Sequence, residues 1–263
     1  LKGTDAGDQP EHSFIESYDF NTFNVHNRDK WRSGYWGVAR ANDVINSVAE
    51  AEDISAARAA EIVGEAKFIR GWQHFEMQKM YRTPKYVSEA NFSLDDLEAS
   101  KVPNTGKIWA NIIQDFADAA AALPATQAEV GRATKWAALA YQAKALVYSG
   151  DYTSALPILE NIVNNGPYTL VDKFEDNYLV ATRNNSESIF EIQYAVSSAD
   201  TNASNAEIGL AHPYIAPWGC CGFLQAPQDL IDFFQTDANG LPLLDESWTT
   251  THLTNPTGAN IGE

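Results

Sequence analysis

Apolar residues recur at three- and four-residue steps through most of residues 30–170, a period that predicts helices. From Lys30 to Glu50, Trp31, Tyr35, Val38, Ile45 and Val48 share one face, and Asn42 sits on the same stripe, where a buried amide must find a partner. Ser55 is placed to cap a second helix that runs to Tyr81 with Ile62, Ala66, Ile69, Trp72, Phe75 and Met80 inward, before Arg82-Thr83-Pro84 breaks it. After an irregular connection, Asn104 or Thr105 caps a third helix that carries Ile108, Ile112, Phe116, Ala119 and Leu123 and closes at Pro124.

Residues 131–170 read as two helices and a tight turn. Trp136, Leu139, Ala140, Ala143, Leu146 and Val147 form the stripe of the first, Gly150-Asp151-Tyr152 the turn, and Ala155, Ile158, Leu159, Ile162 and Val163 the stripe of the second. Ala155, Leu159 and Pro167 fit the second-helix half of a tetratricopeptide unit, which needs a small residue where its helices cross; Trp136, Leu139 and Ala140 approximate the first half, about one helical turn further from the crossing than the consensus places them. One such pair cannot bury its own apolar face, so the preceding helices are its neighbours in a stack.

Beyond residue 170 the period changes. Phe190, Ile192 and Tyr194 alternate with Glu191 and Gln193, which predicts a half-buried strand over 188–194. Residues 197–225 carry no period, and loops of that length are commonly functional. Pro227 opens a short helix with Leu230 and Phe233, and Asp237-Ala-Asn-Gly240 is a turn. The expected fold is mainly α, a tetratricopeptide-like superhelix of helical hairpins with an irregular, loop-rich part carrying short strands. Its expected divisions are an extended N-terminal segment without a core (1–29), the helical scaffold (30–170) and a loop-rich ligand-binding part (171–263).

Composition narrows the partners. The 263 residues are 44% hydrophobic, enough for a sizeable core, and carry a net charge of −17 with no compensating basic run. Such a chain repels polyphosphate, so no nucleic-acid partner is expected. No apolar run approaches the ~20 residues of a membrane span. The opening LKGTDAGDQPEHSF lacks the basic and apolar regions of a signal peptide, and the polar ending THLTNPTGANIGE reads as an incomplete chain.

Candidate chemistry is sparse. Nucleophile, zinc, dinucleotide and phosphate-loop motifs are all missing from the sequence, and His12, His26, His74, His212 and His252 are scattered, so no metal, cofactor or catalytic residue is expected. Paired carboxylates such as Glu61 with Glu65, or Asp95 with Asp96, read as a solvated acidic face. Trp31, Trp72, Trp109 and Trp136 fall on or beside helical faces and read as scaffold. Trp218 does not: it lies between Pro217 and Gly219 in the aperiodic loop, with Tyr214 and Phe223 nearby. These rings offer flat apolar area to sugar C–H groups, or alternatively plug a core. Asn21 and Asn24, between the early aromatics and the first predicted helix, join them as candidate ligand contacts, with turn formation as the other reading. Cys220 and Cys221 are adjacent, either as thiols or as a strained vicinal disulfide.

Several stretches resemble, in order, the SusD/RagB family of nutrient-uptake outer-membrane lipoproteins: Trp31-x3-Tyr35 with Ala41-Asn42, Gly64-Glu-Ala-Lys-Phe-Ile-Arg70 through Phe75 and Tyr81, Gly131-Arg-Ala-Thr134 through Gly150-Asp-Tyr152, Glu187-Ser-Ile-Phe190, and Pro227-x2-Leu230 with Asp237-Ala-Asn-Gly-Leu-Pro242. The likeness spans residues 18–245, the first half of a typical member; Arg82-Thr83-Pro84 departs from it, standing where such proteins turn on a glycine. The resemblance implies a non-enzymatic subunit, lipid-anchored at the cell surface through a Cys upstream of Leu1. It implies further that the irregular part binds a glycan or a peptide, read here as an oligo- or polysaccharide, and that the subunit hands it to a TonB-dependent, SusC-like transporter. The rival readings are a peptide-binding tetratricopeptide scaffold, disfavoured by the few Lys and Arg, and an all-α glycoside hydrolase.

Overall fold

Helix α3, Ala56–Tyr81, is the middle layer of residues 25–194, with α2 (Val25–Glu50) packed on one side and α4 (Trp109–Ala122) on the other; α5 (Lys135–Ser149) and α6 (Tyr152–Asn165) extend the row, each against its predecessor. The computed structural model describes residues 10–19, 21–96, 98, 101–192 and 228–252. By internal contacts the chain forms two units, 25–194 and a second made of 1–24 with 195–263.

Local chemistry sets the helix ends. Ser55 Oγ accepts the Arg58 N–H at 3.3 Å, Thr134 Oγ1 that of Ala137 at 3.2 Å, and Asp151 Oδ1 that of Ser154 at 3.0 Å, each satisfying a donor that the first helical turn leaves open. Gly150 closes α5 at φ 91°, a left-handed position that also lets its N–H reach the last carbonyls of the helix. Phe68, Phe75, Ile112, Phe116 and Ala119 form the core with Ala137, Ala138 and Ala145. A Cβ on Gly71 would stand 3.1 Å from Asp115 Cβ, so the missing side chain is what lets α3 lie close on α4.

The helical fold follows the sequence pattern, with differences in detail. α2 begins at Val25, five residues before Lys30, and the expected extended segment contains a helix of its own, α1 (Pro10–Glu16). α3 is covered on two sides, so Gly64, Phe68, Arg70, Gly71, His74, Met77 and Gln78 are buried along with the expected Ala66 and Phe75, and Ile69 and Met80 are half exposed. α4 has no side-chain cap; Asn104 instead donates to the Thr83 carbonyl at 2.5 Å. Residues 188–192 form no strand: the bonds between the two stretches, Thr169 N–H to the Ser186 carbonyl (3.0 Å), Ser186 Oγ to the Thr169 carbonyl (3.1 Å) and Val171 N–H to Glu187 Oε2 (3.2 Å), fall before residue 188 and run largely through side chains rather than as a ladder. Phe190 still turns inward, 5.0 Å from the Phe68 ring centroid.

Ala155 lies at the α5–α6 crossing, 2% exposed, as a small residue there must. Ile162 joins it, but Leu156, Leu159 and Val163 are exposed, since no other helix of the described residues covers that side of α6. In the other unit, α7 (Gln228–Phe233) is followed by the Asp237–Gly240 turn, closed by a bridge between Thr236 and Pro242, with Gly240 N–H bonded to the Asp237 carbonyl at 3.0 Å.

Candidate functional site

The segment 10–24 carries the one pair of candidate ligand residues that the structure describes. Asn21 and Asn24 come together at a hollow of about 280 Å³, with Glu11, Phe14, Asp19 and Phe23. Asn21 Oδ1 accepts the Phe23 N–H at 2.8 Å and its carbonyl accepts the Asn24 N–H at 3.2 Å, an Asx turn that reverses the chain. Asn24 is buried and donates from Nδ2 to the Glu11 carbonyl at 3.1 Å. The turn therefore exposes Phe23, 85% accessible, and Phe14, 45%, on the rim of a hollow whose wall carries carboxylates and amides. Apolar rings beside polar groups that accept and donate are what a sugar needs, one for its C–H face and the other for its hydroxyls.

The alternation of aromatic and Asn/Asp residues over 14–24 was the sequence signal for this hollow, but Glu11, Phe14, Asp19 and Phe23 could not be assigned to it without the turn. Tyr214, Trp218 and Phe223, and Cys220 with Cys221, lie outside the described residues.

A second polar constellation sits inside the helical unit. Arg70 Nη1 donates to Asn42 Oδ1 at 2.8 Å and to Glu89, while its Nε and Nη2 hold Asp115. Asn42 Nδ2 donates onward to the Val87 carbonyl at 3.0 Å, and Tyr86 Oη to Asp115 Oδ1 at 2.9 Å. Burial opposes the charge of the guanidinium, but Asp115 and Glu89 outweigh it and lift the Arg70 pKa above its usual value. His74 Nε2 accepts the Val87 N–H at 3.3 Å, so its proton is on Nδ1, donated to the Arg70 carbonyl at 3.1 Å. Burial first, and then the charge of Arg70, push the His74 pKa down to about 3, so the ring is neutral. Tyr35 Oη donates to the Lys85 carbonyl and accepts the Lys85 N–H, both at 2.8 Å, and burial raises its pKa to about 12. All these groups are spent on one another. They fasten residues 85–89 across α2, α3 and α4.

Of the paired carboxylates, Glu61 is held by Arg58 and Glu65 by Arg132, both at 2.9 Å, and Asp96 Oδ1 accepts the Glu98 N–H at 3.0 Å. Among the described residues no three His, Cys, Asp or Glu side chains are grouped to hold a metal ion, and no helix is long and apolar enough to cross a membrane.

Comparison with known proteins gives these features a setting. Residues 9–147 match the SusD-like family described as starch-binding and associating with the outer membrane. A SusD-like protein of Bacteroides ovatus is 28% identical over 193 residues, covering 66% of this chain and 35% of its own, and one of Formosa agariphila is 24% identical over 169 residues, covering 64% and 32%. The chain thus spans about a third of the length of the curated relatives it matches. Among solved structures, a SusD superfamily protein of Bacteroides vulgatus superposes with a TM-score of 0.61 at 26% identity, covering 70% of this chain and 40% of that one. Surface glycan-binding protein A of Bacteroides thetaiotaomicron, solved with laminarihexaose, has the same fold at a TM-score of 0.61 and 21% identity, covering 74% and 41%.

Proposed function

The chain belongs to the SusD-like family of starch-binding proteins that associate with the outer membrane, and on that premise we propose that it is the glycan-capture subunit of a nutrient-uptake complex, holding an oligosaccharide at the cell surface and passing it to a TonB-dependent transporter. The observation that carries the reading is the family match itself, which runs through α1–α4 and most of α5.

The geometry supports it in two ways. The polar interior of the helical unit locks the scaffold with its acids and bases engaged to one another or to backbone groups among the described residues, an arrangement that suits a binding scaffold. The hollow joins the exposed rings of Phe14 and Phe23 on its rim to the Asn21 and Asn24 amides and the carboxylates of its wall, and it is large enough to seat part of a saccharide. In this reading Tyr214, Trp218 and Phe223 supply further rings, the protein is lipid-anchored, and neither cofactor nor nucleic acid takes part.

The test is a screen of the full-length protein over immobilised glycans, with reducing ends assayed in parallel. Retention of a glycan without release of reducing ends is expected. Trp218→Ala should weaken that binding by ~1–3 kcal/mol, the scale of an aromatic hot spot, at unchanged thermal stability. Failure to retain any glycan removes the capture function, and growth of reducing ends would favour the hydrolase instead.

A further inference from the structure

The C-terminal end of α3, the N-terminal end of α4 and the C-terminal end of α5 converge on a cleft of about 500 Å³, lined by Gln78, Lys79, Arg82, Lys107, Trp109 and Tyr148. The chain has 35 acidic residues against 18 Lys and Arg, yet this lining holds three cations and no carboxylate. Lys79 is matched by Glu76 at 2.8 Å and lies over the rings of Phe75 and Tyr148, 4.9 and 6.0 Å from their centroids. Arg82 and Lys107 are exposed and, among the described residues, have no ion-pair partner. In so acidic a protein, two unmatched cations at one cleft make a local field that attracts anions.

The placement is fixed rather than incidental. Arg82 has φ 62° and ψ −46°, a backbone conformation that residues with a Cβ rarely adopt and that persists only where the surroundings hold it. Gln78 supplies that hold. It is 4% exposed, its Nε2 donates to the Arg82 carbonyl, and its Oε1 accepts the Ile108 N–H at 2.9 Å. One buried amide therefore ties the turn bearing Arg82 to the strand of chain bearing Lys107, so the two charges are presented together. Between them and α5, the rings of Trp109 and Tyr148 stand 6.2 Å apart at 48°, and Tyr148 is 53% exposed.

We propose that this cleft is a saccharide site, separate from the hollow around Asn21 and Asn24, for sugar units that carry a carboxylate or a sulfate. A guanidinium fork and an ammonium recognise the anionic group through charge-assisted hydrogen bonds, while the two rings take the apolar face of the pyranose. A neutral sugar leaves both cations unmatched. An acidic peptide uses the cations but has no flat C–H face for the rings, and for that reason the sugar is the better fit. The assignment rests on the glycan-capture function and narrows its substrate class.

Titration calorimetry on the full-length protein tests it with four probes: trigalacturonate, neutral α-1,4-galactotriose, a κ-carrageenan tetrasaccharide, which carries sulfate and no carboxylate, and a hexaglutamate peptide. Trigalacturonate or the sulfated probe should bind at least about tenfold more tightly than galactotriose, with a gap that narrows as salt rises; whichever of the two binds better names the group. Lys107→Gln and Arg82→Asn should each weaken that binding about tenfold, since each removes a charge-assisted contact. Asn is chosen at position 82 because it tolerates positive φ, and melting curves confirm that both variants fold. Binding of any neutral glycan retained on the immobilised screen, which does not use the two cations, should stay unchanged in both. Equal affinity for charged and neutral trisaccharide, no binding of either anionic sugar, unaltered affinity in both variants, or tighter binding of hexaglutamate each overturns the site. The capture function fails separately, by loss of every glycan on the screen.

Discussion

Arg70 Nε and Nη2 donate to Asp115 Oδ2 and Oδ1 at 3.0 and 2.6 Å, a two-pronged ion pair in which both side chains are only 3% exposed. The pair bolts α3 to α4, and the remaining donors of the same guanidinium reach Asn42 on α2 and Glu89 in the segment that follows α3. Three helices and a loop therefore meet on one planar cation, a geometry that the single charge of a lysine could not reproduce.

Removing one side of this pair leaves the other buried and uncompensated. Asp115→Ala should cost ~3–5 kcal/mol of stability in urea unfolding. Arg70→Met with Asp115→Leu together should cost clearly less than the sum of the two single changes, because no charge is then stranded. Additive losses would mean that the two side chains do not act as a unit.

His74 gives the fold a dependence on pH. Its folded pKa of about 3 lies below the ordinary value of 6.5, so the unfolded chain takes up a proton more readily. The stability that the neutral ring contributes is complete above pH 6.5 and is lost progressively as pH falls toward 3. Between pH 7 and pH 5 that loss is ~2 kcal/mol from the linkage relation. His74→Gln, which keeps an acceptor for the Val87 N–H, should have a flatter stability profile over that interval than the native chain. Identical slopes would show that other groups carry the acid sensitivity.

The helices were legible because their signals are local: Ser55 and Gly150 mark ends, and Val38, Ile112, Phe116 and Ala155 mark faces by period, while the Thr134 cap of α5 showed only in the structure. Even the demand that Asn42 find a partner could be read in advance, and the structure meets it with Arg70 and the Val87 carbonyl. The identity of that partner could not. Arg70 is absent from the apolar stripe read along α3, so its burial shows only once α2 and α4 both close on that helix, and His74 carries no motif that foretells its bond to Val87. The two hollows escaped for a related reason. Lys79, Lys107 and Tyr148 stand at the ends of different helices, where periodicity stops, and Phe14 and Phe23 line one hollow because Asn21 turns the chain between them.

Ala155 tests the repeat assignment directly. At 2% exposure on the α5–α6 crossing it has no room for a larger side chain. Ala155→Leu should therefore overpack the contact and lower stability by ~1–3 kcal/mol. An unchanged melting temperature would remove the small-residue crossing as the organising contact of this hairpin.

The outer side of α6 carries the last prediction. Ile162 is buried against α5, while Leu156, Leu159 and Val163 are 57%, 42% and 78% exposed, and the chain continues past them through Leu170 at 81% and Phe174 at 75%. In a helical stack an apolar side of this kind is the surface on which a further hairpin settles, and left open it promotes association. The 263-residue chain by itself should bind a hydrophobic dye and self-associate as its concentration rises. Leu159→Lys with Val163→Glu should reduce both effects while leaving the melting temperature nearly unchanged, because neither side chain contributes to the buried core. Sedimentation at two concentrations, with dye fluorescence on the same samples, reads the outcome. A native chain that stays monomeric and dark to the dye, or a double variant that associates equally, would place the sticky surface somewhere other than α6.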